Sequence, residues 1–263
     1  MNMADREKIL RFYKGTEGEE TAIRLVDNAE AVNKTRKFRT SDFLDPYGQE
    51  IAETIAANYD GIRIDFDGGY NGAERQCAAL IHDDFMGKVS FDIKIIVAEW
   101  NEKFYHIVHR DILGSLMGLG IDRRNLGDLL INPGSVKIIC TGKIADFIMN
   151  NLATIGAASV SCQYGTLAAI PPREERCKEI SVTVASLRID SIAAAGYGTS
   201  RSKMAAEIEA DKLKLNWQHI KTPSQLVKEG DIISMRGRGR LEVSQVRGKT
   251  KKGRTGLFLK RYI

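Results

Sequence analysis

The sequence is poor in cysteine and has no long hydrophobic segment. Its 263 residues contain only Cys77, Cys140, Cys162 and Cys177, widely spaced and without a CxxC pair, which argues against a disulfide framework and a cysteine-based zinc site. No apolar run approaches the roughly 20 residues of a membrane helix, and the charged start MNMADREKILRFYKG has no signal-peptide pattern. We therefore expect a cytoplasmic protein that contacts no membrane.

Motifs for catalysis and for metal binding are also missing. HRD at 109–111 resembles a kinase catalytic loop, but no glycine-rich loop, lysine strand or DFG accompanies it. DFDGGYNGAE at 65–74 lacks the acidic, glycine and glutamate positions of a calcium loop. The four histidines have neither HxxxH nor HExxH spacing. We expect no catalytic residues, no metal and no cofactor.

Positive charge is concentrated in the last third of the chain. Residues 181–263 hold 17 Lys and Arg against 7 Asp and Glu, whereas residues 1–180 hold 22 against 27. The net charges are therefore +10 and −5. Such asymmetry favours a basic C-terminal module with a polyanionic partner, although many charged faces are only solvated.

Hydrophobic periodicity predicts an α+β fold in three parts, with 1–82 a mixed N-terminal region. Residues 83–172 follow the order β-α-β-β-α-β, which is the ferredoxin-like arrangement of RNA-recognition motifs. Pro171, Pro172 and the charged stretch REERCKE indicate a linker to the third part, 181–263. The predicted helices are 6–13, 19–32, 46–58, 111–120, 144–156, 187–196 and 200–210; the predicted strands include 61–66, 91–100, 126–132, 135–142, 158–164 and four pieces after residue 212.

The segment GTSRSKMAAEIEADKLKLNW (198–217) places cations where a helix dipole repels them. Thr199 or Ser200 is the predicted N-cap, so that Arg201 and Lys203 fall in the first turn, which normally favours acidic residues. Two interpretations stay open. An external phosphate binds there, with Ser200 and Ser202 as further donors, or both cations point into water.

Two further basic stretches contain glycine. MRGRGR (235–240) interleaves arginine, which grips phosphate with a planar fork, with glycine, which allows close backbone approach. It is otherwise a solvated hairpin loop, as is KTKKGR (249–254). Trp217 and Tyr197 are candidates for stacking on bases, and core packing is the alternative for Trp217.

The order and spacing of SLRID (186–190), SRSKMA (200–205), LKLNW (213–217) and TPSQLVKEGDII (222–233) resemble the S4 RNA-binding domain. Trp217 and Ala210 stand where glycine is common in that domain. The tail MRGRGR…KKGR, and upstream stretches such as HRDILGSLMGLGIDRRNLGDLL (109–130), resemble the YlmH family over nearly the whole chain. With the basic stretches, the resemblance implies an RNA-binding set: Arg188, Ser200, Arg201, Ser202, Lys203, Lys214, Trp217, Arg236, Arg238, Arg240, Lys251, Lys252 and Arg254.

The resemblance implies a non-enzymatic protein that binds rRNA of the large ribosomal subunit, with tRNA as a further candidate. Relatives in the S4 group act in rescue of stalled translation, and genes of the family lie among cell-division genes. Two alternatives stay open: an RNA-modifying enzyme of pseudouridine synthase or methyltransferase type, and a cell-division adaptor with a protein partner on residues 1–180. Asp190 resembles a synthase aspartate, but it lies inside a predicted helix.

Overall fold

The computed structural model describes residues 3–166, 177–250 and 253–262 of the chain. They form two compact units, divided between residues 172 and 173. Both units combine helices with antiparallel sheets, which confirms the predicted α+β class. Across these described ranges, no helix combines the length and the apolar character that a bilayer crossing requires.

The N-terminal part of the first unit packs helices against a three-stranded sheet. The three predicted helices and the predicted strand at 61–66 are confirmed, whereas the other two strands were not predicted. Asp45 caps one helix, because its Oδ1 accepts the Gly48 N–H at 2.9 Å, and Pro46 opens that helix as expected. The elements are α1 (Met3–Tyr13), α2 (Glu19–Thr35), β1 (Phe38–Leu44), α3 (Pro46–Ala57), β2 (Ile62–Asp67) and β3 (Gln76–His82).

In this sheet β3 lies between β1 and β2, and both pairings are antiparallel. Side chains alternate between the two faces of a strand. Ala78 and Leu80 of β3 therefore share one buried cluster with Leu25 and Val26 of α2. Cys77, one position away, belongs to a different cluster on the opposite face. The N-terminal sheet thus has a helix-covered face and a second buried face.

The rest of the first unit contains a four-stranded antiparallel sheet with the strand order β5-β6-β4-β9. Two helices cross between its strands, as the ferredoxin-like prediction requires. The elements are β4 (Ile93–Glu99), α4 (His109–Gly118), a 3-10 turn (Arg123–Asn125), β5 (Leu126–Asn132), β6 (Ser135–Thr141), α5 (Gly142–Asn151), β7 (Thr154–Ile155), β8 (Ala158–Ser159) and β9 (Ser161–Tyr164).

The end of α5 differs from the sequence prediction. The helix stops at Asn151 and not at Gly156, because Thr154 and Ile155 pair with Ser159 and Ala158 in a small hairpin. The predicted single strand 158–164 is consequently split into β8 and β9. Strand pairing has overridden a helical pattern at this point.

The N-terminal part covers one face of the ferredoxin-like sheet. Ile93 and Ile95 of β4 and Ile139 of β6 pack in one buried cluster with Phe43 of β1 and Cys77 of β3. RNA-recognition motifs stack bases on exposed aromatic side chains of their sheet. Here aliphatic side chains occupy that face and protein covers them, so this part of the sheet is closed to bases.

The second unit is built on a six-stranded antiparallel sheet with the order β10-β15-β14-β13-β11-β12. The predicted helices and the four strand pieces after residue 212 are confirmed. β10 begins at Cys177, so the linker prediction is wrong for residues 177–179; the rest of the predicted linker, 171–176, lies outside the described residues. The elements are β10 (Cys177–Val184), α6 (Ile189–Tyr197), α7 (Arg201–Glu209), β11 (Leu213–Leu215), β12 (Gln218–His219), β13 (Ile232–Met235), β14 (Gly239–Lys249) and β15 (Thr255–Tyr262).

The two helices α6 and α7 lie on this sheet through a close approach at Gly196. A Cβ atom at Gly196 would lie 2.3 Å from Cδ2 of Leu241 on β14, and Leu241 is fully buried. Met204 and Ile208 of α7 join the same core cluster. The absence of a side chain at residue 196 therefore sets how closely α6 approaches β14.

Candidate nucleic-acid interface

Ser200 caps the start of α7. The sequence predicts either Thr199 or Ser200 at this position. Its Oγ accepts the Lys203 backbone N–H at 3.3 Å and lies 3.3 Å from Oγ of Ser202. Arg201, Ser202 and Lys203 are exposed in this first turn. The structure therefore gathers four of the predicted RNA-binding residues around one helix start.

Arg201 has a partner within the protein. The two sequence interpretations consider only a bound phosphate or exposure to water. Its Nε donates to Oδ2 of Asp190 at 3.0 Å. Arg188 donates to the same carboxylate through Nε at 3.2 Å and Nη2 at 2.9 Å. The Asp190 side chain is only 4% exposed, whereas 51% of Arg201 and 33% of Arg188 remain exposed. One buried carboxylate thus holds two half-exposed guanidinium groups in place.

The charge balance of this cluster follows from its contacts. Burial acts to raise the pKa of Asp190, but hydrogen bonds and charge from Arg188 and Arg201 outweigh it and hold the pKa below its ordinary value. The carboxylate is therefore ionised at neutral pH and compensates one of the two cations. The cluster keeps a net positive charge on its exposed side, which suits a phosphate.

Asp190 is the residue of this cluster that the predicted RNA-binding set does not include. It stands in the first turn of α6, two residues after Arg188, and its Oδ1 also accepts the Ser191 hydroxyl at 3.2 Å. The available signal was an aspartate among apolar neighbours in a basic domain. Such a residue requires a cationic partner when it is buried.

The β13–β14 turn lies within the second basic stretch, 235–240. Residues 236–238 connect the paired Met235 and Gly239, and Gly237 and Gly239 have φ of +79° and +82°, which glycine adopts without strain. Arg236 is exposed. Arg238 instead donates from Nη1 to the Tyr197 carbonyl at 3.0 Å, at the end of α6. The turn is therefore fixed to the helix pair.

Trp217 lies beside this turn and outside the buried core. It occupies the second position of a two-residue hairpin loop between Leu215 and Gln218, with φ of +64° after +48° at Asn216. These are type I′ values, which favour glycine or asparagine. The guanidinium carbon of Arg240 lies 5.6 Å from the Trp217 ring centroid, within cation–π range. The tryptophan is half-buried, with its ring next to a cation.

Tyr197 is not available for stacking on bases, so this sequence expectation is wrong. Its ring is 3% exposed, and its hydroxyl lies within hydrogen-bond distance of two carbonyl oxygens, 3.0 Å from Ile233 and 2.9 Å from Gly239. Burial raises the pKa of this phenol. Tyr197 is a packing residue that joins α6 to the sheet.

The third basic stretch, 249–254, lies far from the β13–β14 turn. Arg254 donates to Oγ1 of Thr183 on β10 at 3.1 Å, and it lies beside Thr255, which pairs with Lys249 at the far end of β14. Arg240 pairs with Tyr262 at the other end of the same hairpin. Nine residues of strand separate the two ends, or roughly 25–30 Å. Lys214 is half-buried on β11, and Lys251 and Lys252 lie outside the described residues.

Known proteins are similar in sequence to most of this chain. Three family models match: "YlmH, N-terminal" over residues 17–85, "Putative RNA-binding domain in YlmH" over 87–168 and "S4 domain" over 187–233. Ribosome-associated protein quality control protein P2 of Bacillus subtilis (strain 168) is 34% identical over 224 residues, which cover 84% of this chain and 86% of that protein. The chain belongs to the YlmH family.

One solved structure has a fold similar to part of this YlmH-family chain. The cell division protein ylmH from Streptococcus pneumoniae aligns with a TM-score of 0.50 and 22% identity, over 58% of this chain and 93% of that one. The matched models make the protein an RNA-binding protein of the S4 and YlmH type. None of the three models describes an enzyme family.

Proposed function

We propose that this YlmH-family protein is a non-enzymatic factor that binds rRNA of the large ribosomal subunit through its second unit. The relative from Bacillus subtilis is named as a ribosome-associated quality control protein, and we place this chain in the same process. The observation that carries the proposal is the arginine pair on Asp190 at the start of α7.

The pair supports recognition of RNA by its backbone. A guanidinium already held by a carboxylate loses little side-chain freedom when it binds a phosphate, so less of the binding energy goes into ordering it. Structured RNA is read largely by shape and by phosphate and 2′-hydroxyl contacts. Arg188 and Arg201, with Lys203 and the exposed Arg236, fit such recognition without base-specific side chains.

The enzyme alternative has less support. Asp190 is the residue that resembles a synthase aspartate, yet its carboxylate is nearly buried and accepts hydrogen bonds from two arginines. A nucleophile or general base needs access to its substrate. Incubation of the protein with uridine-containing RNA should therefore leave the uridines unchanged. Incubation with RNA and S-adenosylmethionine tests the methyltransferase alternative, and we expect no methyl transfer.

Sedimentation of a cell extract tests the proposal. The wild-type protein should migrate with free large subunits. A Lys203→Glu, Arg236→Glu variant should remain at the top of the gradient. Both side chains are exposed, so the variant should fold; Arg238 and Arg240 are left intact because they contact Tyr197 and Trp217.

The matched control applies the same charge change to the first unit. Lys14→Glu, Lys34→Glu alters two exposed lysines near the ends of α1 and α2 and should still migrate with large subunits. Crosslinking and sequencing of the bound RNA then identifies the rRNA segment and any tRNA. Wild-type protein at the top of the gradient in low salt, or equal loss in both variants, would contradict the proposal.

A further inference from the structure

A cavity in the first unit contains two neighbouring arginines that no carboxylate neutralises directly. It has a volume of about 550 Å³ and lies between α2, β1 and the 3-10 turn. Arg75 and Arg123 are among its lining residues. This volume falls within the range of small-molecule sites and exceeds what a single inorganic ion needs.

The two guanidinium groups share one acceptor. Nε of Arg75 donates to the Leu126 carbonyl at 2.9 Å, and Nη1 of Arg123 donates to the same oxygen at 2.8 Å. The two nitrogen atoms are therefore at most about 6 Å apart. The other hydrogen bonds of these side chains also go to backbone carbonyls, those of Phe43 and Gly127 among them. Within the described residues, neither guanidinium has a carboxylate within 4.0 Å.

Opposing charges act on the two guanidinium groups: each repels the other, while Asp45, Asp128 and Glu74 attract both. Burial and then the charge of Arg75 lower the pKa of Arg123 to about 10, and burial lowers the pKa of Arg75. Both side chains remain charged at neutral pH. Two partly buried like charges repel each other, and an anion between them removes that repulsion.

The nearby carboxylates already have other partners. Asp128 accepts the Tyr70 hydroxyl at 2.7 Å and the backbone N–H groups of residues 74 and 75. Asp42 pairs with Lys143 at 2.7 Å. Asp27 and Asp45 also line the cavity, the former paired with Arg6 at 2.6 Å and the latter used as the cap of α3.

The rest of the lining contains neutral hydrogen-bonding groups as well as Arg24 and Arg124, which both pair with Glu20. Thr21 and Asn28 on α2 and Thr40 on β1 contribute hydroxyl and amide groups, whereas the Ser41 hydroxyl already donates to the Asp42 carbonyl. Arginine forks match phosphate oxygens, and hydroxyl and amide groups match a sugar. We propose that this cavity binds the phosphate and ribose of a ribonucleotide, either free or as part of an RNA chain.

Two variants of the whole 263-residue chain test the site. Arg123→Gln removes one charge and keeps a donor for the Leu126 carbonyl. Thr21→Glu leaves both arginines in place and introduces a carboxylate into the cavity, in the first turn of α2, where an acidic residue also suits the helix dipole. The control is Arg39→Gln on β1, which removes an exposed arginine outside the cavity.

Calorimetric titration with inorganic phosphate and with each of the four 5′-ribonucleoside monophosphates measures binding to a free nucleotide. At least one should bind the wild type with Kd below about 1 mM, in the range of a weak specific ligand. Arg123→Gln and Thr21→Glu should each weaken binding by about tenfold or more, and Arg39→Gln should stay within twofold. Thr21→Glu should melt no lower than the wild type.

A short single-stranded RNA distinguishes the two sources of the phosphate. It is titrated in the Lys203→Glu, Arg236→Glu background, so that binding by the second unit is weakened and is the same with and without Thr21→Glu. RNA binding that Thr21→Glu removes, without binding of free nucleotides, assigns the cavity to an RNA segment. The inference is overturned if no probe binds, or if Arg123→Gln and Thr21→Glu bind like the wild type. These titrations use purified protein, so their outcome is independent of the sedimentation experiment that tests the proposed function.

Discussion

The Nε atom of Arg201 lies 3.0 Å from Oδ2 of Asp190, across eleven residues of sequence. This contact explains why a cation is tolerated in the first turn of α7. The buried carboxylate offsets the repulsion between the guanidinium and the positive end of the helix dipole. Because Arg188 donates to the same carboxylate oxygen at 2.9 Å, one acidic residue positions two basic ones.

Asp190→Asn should lower the free energy of unfolding by about 1.5–3 kcal/mol, the range for hydrogen bonds to charged groups. The amide keeps the shape of the side chain and loses its charge. Urea unfolding of the full chain measures the change. Glu209→Gln, an exposed substitution in α7, should change stability by less than about 0.5 kcal/mol. Equal midpoints for Asp190→Asn and the wild type would refute the anchoring role.

The stabilisation by Asp190 should depend on pH in one direction. Its pKa is lowered in the folded protein, so the native carboxylate binds a proton less readily than the unfolded one. The contribution is complete above the ordinary aspartate pKa of about 4 and is lost as the pH falls through the lowered value. The difference in melting temperature between wild type and Asp190→Asn should be constant from pH 5 to 8 and shrink below about pH 4. A difference that disappears between pH 5 and 8 would contradict this.

Arg201→Ala should weaken RNA binding and reduce its dependence on salt. A phosphate contact releases counterions, so its loss lowers the log–log slope of affinity against salt by about one unit. Fluorescence anisotropy with a structured rRNA fragment between 50 and 200 mM salt measures both quantities. Lys34→Ala, in the first unit, should leave the slope unchanged. An unchanged slope for Arg201→Ala would mean that Arg201 serves only the ion pair with Asp190.

Trp217→Gly separates stability from binding. A left-handed conformation costs about 1–2 kcal/mol for a residue with a Cβ atom, and glycine removes that cost. The melting temperature should therefore stay equal or rise, while RNA affinity falls about tenfold, since base stacking contributes about 1–3 kcal/mol. Trp217→Phe should retain most of the affinity. A lower melting temperature with unchanged affinity would assign Trp217 to packing.

Gly196→Ala tests the approach of α6 to the sheet. Alanine favours a helix over glycine, but here its Cβ would overlap the buried Leu241 side chain. Overpacking of this kind should cost about 1–3 kcal/mol. Gly248→Ala is the control, because a Cβ there meets no atom within 4 Å. Thermal unfolding of the two variants should differ accordingly, and equal melting temperatures would show that the core adjusts.

The helices were predicted well because their hydrogen bonds are local. The Asp45-Pro46 start of α3 and the serine cap of α7 depend on residues at most three positions apart. Five strands were missed by sequence reasoning: the longer β1, β3 and β10 and the two-residue β7 and β12. The three longer ones have distant partners; β10 pairs with β15, some eighty residues later. The residues that pair with such a strand lie far away in the sequence. The local pattern of the strand is therefore weak evidence that it forms.

The sequence by itself determined the class of the protein: an α+β fold, a basic C-terminal part and the pattern of an S4 domain within the YlmH family. Only the tertiary structure decided which polar groups meet. Asp190 contacts both Arg188 and Arg201, Arg75 and Arg123 share the Leu126 carbonyl, and part of one face of the ferredoxin-like sheet is covered by the N-terminal part. These outcomes depend on the distance and burial of groups that folding brings together, and burial decides whether a charge is solvated or must find a partner.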